Sequence, residues 1–227
     1  MLQPGDVISY EDMNRHEGKR LQKGMNFKRP PKVSVFLMSR RKDALYTDRI
    51  EDDGRVLIYQ GHDIRPEPGG PDPQTVDQPL RNADGTPTDN GKFFEVAKAA
   101  KQGAHPGIVH VYEKIQTGIW VFNGEFELAD AWQESGGSRK VCKFELRTFY
   151  GNAAALLVDR EPSRLIPSEV KAEVWKRDGG KCRRCGKGEN LHFDHDIPFS
   201  KGGSSFTSLN VQILCARCNL QKSDRVE

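Results

Sequence analysis

The sequence predicts an α+β protein in two parts: a strand-rich domain over residues 1–155 and a small metal-stapled domain over residues 168–227, joined by a connector at 156–167. Stretches before residue 150 alternate apolar and polar side chains with the period of two that places one strand face on a core. A single helical pattern interrupts them. The last sixty residues or so have too few apolar side chains to fold unaided, yet they carry two Cys-x-x-Cys pairs.

Taken in order, the strand signals are VSVFLMS at 33–39, RVLIYQG at 55–61, GIVHVYEK at 107–114, TGIWVFNG at 117–124 and KVCKFELRTF at 140–149. Between the second and third, residues 61–91 are rich in Pro, Gly, Asp and Asn and read as a long surface loop. The helix follows in KFFEVAKAAKQG, with Phe93, Val96, Ala97 and Ala100 on one face and Gly103 near its end. The connector holds two prolines and several charges. Ser168 then offers an N-cap, and EVKAEVWKRD sets Val170, Val174 and Trp175 on one stripe of a second helix.

No apolar run approaches the roughly 18 residues of a membrane span. Residues 1–20 lack the apolar core of a secretory signal, so the expected setting is the interior of a cell. Net charge is +3, and from Leu165 onward 11 Lys or Arg face 8 Asp or Glu, so the whole excess lies in the small domain. That distribution suits a polyanionic partner.

Cys182 and Cys185 form one pair and Cys215 and Cys218 the other, with 29 residues between them. In a chain without an export signal this spacing favours zinc over disulfides. Four thiolates leave no open coordination position, so the expected Zn²⁺ is structural. Cys142, in a strand signal, is read as a small buried hydrophobe. His16, His62, His105 and His110 show no ligand spacing and receive no role; His192 is read as a strand-surface residue.

Inside the cysteine clasp lie Asp194 and His195, then Asn210, then Asn219 directly after Cys218. The run LHFDHDIPFSKGGSSFTSLNVQILCARCNLQKSD resembles the HNH family of ββα-metal endonucleases over nearly the whole small domain. The resemblance implies phosphodiester hydrolysis, with His195 as general base, Asp194 and Asn219 as oxygen ligands of a catalytic Mg²⁺ or Mn²⁺, and Asn210 as a brace for the loop behind the histidine. Arg217 and Lys222, on the expected last helix, are candidate phosphate contacts. Neighbours in a strand point to opposite faces, so the strand must end or bulge near Asp194 and His195.

In the larger domain ALYTDRIEDDGRVLIYQGHDI, DQPLRNADG and NGKFFEVAKAA resemble the SRA, or YDG, family, whose PUA-like barrel binds DNA and flips a modified cytosine into a pocket. The resemblance spans about residues 30–148 and implies Tyr46 and Tyr59 as an aromatic sandwich, with Asp48, or else Glu51 or Asp52, reading the base edge. Together the two resemblances imply a bacterial, cytoplasmic nuclease acting on double-stranded DNA that carries 5-methylcytosine or a relative, working as a homodimer because one HNH site cuts one strand. A restriction nuclease reading unmodified DNA and a non-catalytic zinc module that binds DNA stand as the alternatives.

Overall fold

The computed structural model describes residues 2–39, 48–149, 165–198 and 201–223. In chain order the described elements are β1 (Val7–Ser9), α1 (Tyr10–Glu17), β2 (Met25–Asn26), β3 (Ser34–Met38), β4 (Arg49–Glu51), β5 (Val56–Gln60), α2 (Asp89–Lys101), β6 (Gly107–Gln116), β7 (Ile119–Gly136), β8 (Arg139–Thr148), α3 (Ser168–Asp178), β9 (Leu191–His195), β10 (Val211–Cys215) and α4 (Ala216–Lys222). The expected α+β class is observed.

The large sheet runs β2-β3-β6-β7-β8-β5-β4, with β1 added alongside β7. All its pairings are antiparallel except β3 with β6, so the sheet is mixed. It curls until strands far apart in that order meet: Tyr59 of β5 stacks on Phe36 of β3 at 4.3 Å, and its Oη donates to the Leu37 carbonyl at 3.1 Å. Inside the curl Phe36, Phe93, Phe126, Phe144 and Leu146 are buried, and Cys142 is buried among them as a free thiol. Helix α2 starts at Thr88, whose side chain accepts from the Gly91 amide, and closes one mouth of the curl with Phe93 and Ala97. The loop before it contains only a short 3-10 turn at Pro73–Thr75 and an isolated bridge.

The small unit is a β9-β10 hairpin flanked by α3 and α4. Helix α3 begins one residue earlier than its sequence suggests: Ser168 is its first residue, and Pro167 holds the cap position without a side-chain bond. The hairpin register is unbroken from Leu191↔Cys215 to His195↔Val211.

Its core is shared with the large sheet. Val121 is buried with Val170, Val174, Leu191, Phe193, Val211 and Ile213, while Val7 and Ile115 pack at the margin. The segment Gly5–Asp6 lies along the outer side of β9: the Phe193 amide donates to the Gly5 carbonyl at 3.0 Å, and Asp6 bridges to His192. Beneath the junction Lys171 of α3 is buried, with Nζ 2.6 Å from both Glu113 Oε2 of β6 and Asn123 Oδ1 of β7. Burial opposes ionisation of Glu113, but the Lys171 ammonium and hydrogen bonds outweigh it and hold the carboxyl below its ordinary range.

Candidate functional site

The four cysteines converge as their spacing requires. Their sulfurs lie within 4.8 Å of one another, and Cys185 Sγ is 3.6 Å from Cys215 Sγ. A tetrahedral ion bound by sulfur at about 2.3 Å sets an S–S edge of about 3.8 Å, so the cluster has the dimensions of a zinc site. Burial pushes the Cys182 thiol up, yet backbone N–H groups of Cys215, Cys185 and Arg184 bring it down to about 6. Cys218 is pushed up to about 12 by burial and by the neighbouring sulfurs. Such crowded thiols do not all ionise without a central cation, which is what the donor set invites.

Strand β9 ends at His195, which removes the need for a bulge. From there the chain turns out through Asp196, whose amide donates to the Asn210 carbonyl at 2.9 Å. The Asn210 side chain then fixes the loop: Oδ1 accepts from the Ile197 amide at 2.8 Å, and Nδ2 donates to the carbonyls of Ile197 and Ser204 at 3.1 Å. Gly203 is packed against this clamp. A Cβ there would stand 1.8 Å from the Ile197 carbonyl oxygen and 2.7 Å from Asn210 Nδ2, a space open only to glycine.

The clamp delivers Ser205 to the histidine. Ser205 is buried, and its Oγ lies 2.8 Å from His195 Nε2. With Nε2 engaged, Nδ1 has no partner among the described residues and is the nitrogen left to accept a proton. Burial lowers the His195 pKa; the nearby Asp194 carboxylate pulls it back up only in part, so the ring is neutral at neutral pH.

Asp194 faces α4. Its Oδ2 is buried and lies 2.9 Å from Lys222 Nζ, paired in charge but outside hydrogen-bonding geometry, which leaves this oxygen short of a donor. Asn219 sits one turn before Lys222 on the same helical face, and among the described residues its carboxamide makes no hydrogen bond. The Asp194 carboxylate, one oxygen of which lacks a hydrogen-bond donor although Lys222 pairs it in charge, and the Asn219 carboxamide are hard-oxygen donors of the kind Mg²⁺ or Mn²⁺ takes. Since Asn219 follows Cys218 directly, the sulfur cluster sets where α4 begins and hence where its carboxamide lies.

Lys222 requires a correction to its expected role. Far from reaching outward to phosphate, it is 1% exposed and bonds the His195 carbonyl oxygen at 2.6 Å as well as meeting Asp194, which makes it an internal brace between α4 and β9. Arg217 is exposed on the same helix. His192 is half-buried, with Nδ1 3.0 Å from Asp6 Oδ1. Neither Ser205 nor the bracing role of Lys222 was visible in the sequence, because each depends on a partner brought in by the tertiary fold.

In the large domain Tyr46 lies outside the described residues. Tyr59 is a core residue, 3% exposed, with one ring face covered by Phe36. Asp48 is buried, and its Oδ1 accepts from the Gln60 amide at 2.9 Å, next to Tyr59 in sequence; Glu51 and Asp52 are exposed at the β4–β5 turn. A groove of about 770 Å³ elsewhere is lined by Lys23, Arg65, Arg81 and Lys92 among others, but by neither Asp48 nor Tyr59.

Residues 182–225 match the HNH endonuclease family. Among solved structures, the chain is similar to the SUVH5 SRA domain in complex with methylated CHH DNA, at 22% identity and TM-score 0.47, over 66% of this chain and 90% of that one. It is similar to the same domain bound to fully hydroxymethylated CG DNA, at 23% identity and TM-score 0.47, over 66% and 91%. Arabidopsis thaliana SUVH6 in complex with SAM aligns at 20% identity and TM-score 0.43, over 75% of this chain and 28% of that one. No curated protein matches the chain. Among the described residues no helix is long and apolar enough to cross a membrane.

Proposed function

We propose that the chain is a modification-dependent DNA endonuclease, in which the large domain binds double-stranded DNA carrying 5-methylcytosine or a related base and the small unit hydrolyses a phosphodiester bond. One observation carries the hydrolytic half: within the segment that matches the HNH endonucleases, His195 is held through Nε2 by a buried Ser205 and keeps Nδ1 without a partner among the described residues, beside a carboxylate oxygen that lacks a hydrogen-bond donor.

In this reading His195 Nδ1 takes a proton from the attacking water, while Ser205 prevents the ring from turning away. Asp194 and Asn219 would hold the divalent ion, which supplies positive charge for the departing oxygen. Asn210 keeps the loop closed behind the histidine, and Arg217, exposed on α4, would meet backbone phosphate. Zinc on the four cysteines is a clasp with no part in the chemistry.

The reading half rests on the sequence resemblance. Of the three candidate acids, Asp48 is the one beside Tyr59, so Asp48, Tyr59 and Tyr46 are the proposed base pocket. A single site cuts one strand, so double-strand breaks call for two copies.

Matched methylated and unmethylated plasmids, incubated with the protein in Mg²⁺ and in Mn²⁺, test both halves. Cutting confined to the methylated plasmid is expected, with at least a hundredfold loss in His195→Ala while the fold is kept. Equal cutting of the two plasmids would remove the modified-base reader, and a parent protein that cuts neither would remove the nuclease.

A further inference from the structure

Two histidines without any ligand spacing meet at the far side of the large sheet. His16 and Glu17 end α1, and His110 and Tyr112 project from one face of β6. Glu17 Oε1 lies 2.6 Å from His110 Nδ1 and 2.9 Å from Tyr112 Oη; His16 Nδ1 lies 3.0 Å from Tyr112 Oη and 3.6 Å from Glu17 Oε1. The donor atoms of His16, Glu17 and His110 all fall within 4.8 Å of one another.

We propose that His16, Glu17 and His110 form a second metal site, distinct from the cysteine cluster, for a borderline divalent cation such as Zn²⁺. Nitrogen and oxygen ligands at about 2.0–2.1 Å from a tetrahedral ion stand about 3.4 Å apart; the 3.6 Å between His16 and Glu17 is close to that edge, and the 2.6 Å hydrogen-bond contact between His110 and Glu17 has to open to admit an ion. Two imidazoles and a carboxylate are a set that zinc takes, with the fourth position left to water.

The surroundings support a cation here. His110 stands between two carboxylates, with Nδ1 toward Glu17 and Nε2 3.0 Å from Oε1 of Glu125, its cross-strand partner on β7. A nitrogen lone pair aimed at a carboxylate is repulsive, so the Nδ1 side takes a positive occupant, either a proton or a metal ion in its place, and with either one Nε2–H donates to Glu125. That pairing of a ligating histidine with an outer carboxylate is the usual support of a metal site. Tyr112 is fully buried and its hydroxyl donates to Glu17, which would orient the carboxylate. Lys28, with Nζ 3.8 Å from Glu17 Oε2, opposes the ion from the far oxygen and limits its affinity. His16, whose side chain is 34% exposed, is the door; Glu17 at 3% is the floor. An ion so held would tie α1 to the sheet.

The test is zinc content of the full chain after equilibration in a zinc-limited buffer, compared with His16→Ala and His110→Ala. The parent should hold one equivalent per chain more than either variant, or bind the additional ion at least tenfold more tightly. Substitution with Co²⁺ supplies the control, because thiolate-to-cobalt absorption from the cysteine cluster should stay unchanged in both variants. Equal metal content in the parent and His16→Ala, a substitution at an exposed position, would overturn the proposal and leave a hydrogen-bonded cluster only. The outcome does not depend on whether the chain cuts DNA.

Discussion

Lys222 shows how much one buried side chain governs around Asp194, His195 and Asn219. Its ammonium neutralises Asp194 and also ties the His195 carbonyl to α4, so it sets the distance between the strand that carries Asp194 and His195 and the helix that carries Asn219. Lys222→Met keeps most of the volume but strands a half-buried carboxylate and a carbonyl. We expect a loss of about 3 kcal/mol in unfolding free energy by urea titration, and unchanged stability would show that Asp194 is satisfied without it. The residue scale is also where the sequence said least. Asp194, His195, Asn210, Asn219 and the four cysteines were legible because each belongs to an ordered run with chemical meaning. Ser205 is one serine of a GGSS stretch, and its approach to His195 exists only once Asn210 has drawn the loop closed.

At the scale of elements, that loop is the most demanding part of the small unit. The Asn210 clamp works only if the chain passes within touching distance of the Ile197 carbonyl at residue 203. Gly203→Ala should therefore cost about 1–3 kcal/mol, as forced overpacking does, and should reduce cutting more than its stability loss explains because Ser205 moves with the loop. Differential scanning calorimetry alongside plasmid nicking would check this, and an alanine variant as stable and active as the parent would refute the tight approach.

Strands β3, β5, β6 and β8 were legible from alternation, because each has one face in the curl. The second half of β7 was not. A register shift between Leu128 and Asp130 resets its phase, so the buried positions run Phe126, Leu128, Ala131 rather than every second residue. Helix α1 also escaped notice: its sequence YEDMNRHE has one strongly apolar residue, Met13, and its remaining contacts come from polar ends such as Glu17.

For the whole molecule, the junction between the two parts matters most. Composition suggested a connector and two separate bodies, yet Val121 of β7 sits in the small unit's core and Lys171 of α3 reaches into the large sheet to Glu113. Such a buried pair is costly to break from one side. Lys171→Met should destabilise the chain by about 3–5 kcal/mol, and Glu113→Leu added to it should recover much of that by removing the orphaned carboxylate. Failure of the double variant to recover would show that the pair is not the main contact.

Acid should act on the same joint. Glu113 has a folded pKa below its unfolded value of 4.5, so its stabilisation is complete above that value and is lost as pH falls through the lower folded one. Unfolding free energy should accordingly decline on acidification below pH 4.5, and the slope should flatten in Glu113→Gln. An identical slope in that variant would assign acid sensitivity to other carboxylates.

The strip Gly5–Asp6 carries one more consequence. By accepting from the Phe193 amide and bridging to His192 it covers the middle of an edge that a two-stranded ribbon would otherwise expose. A fragment starting at Ser168, expressed to study the HNH-matching unit in isolation, would be stripped of that cover and would tend to recruit a strand from a neighbouring fragment. Solubility of such pieces would then report on a missing seam, and only indirectly on the cysteine cluster or on Asp194 and His195.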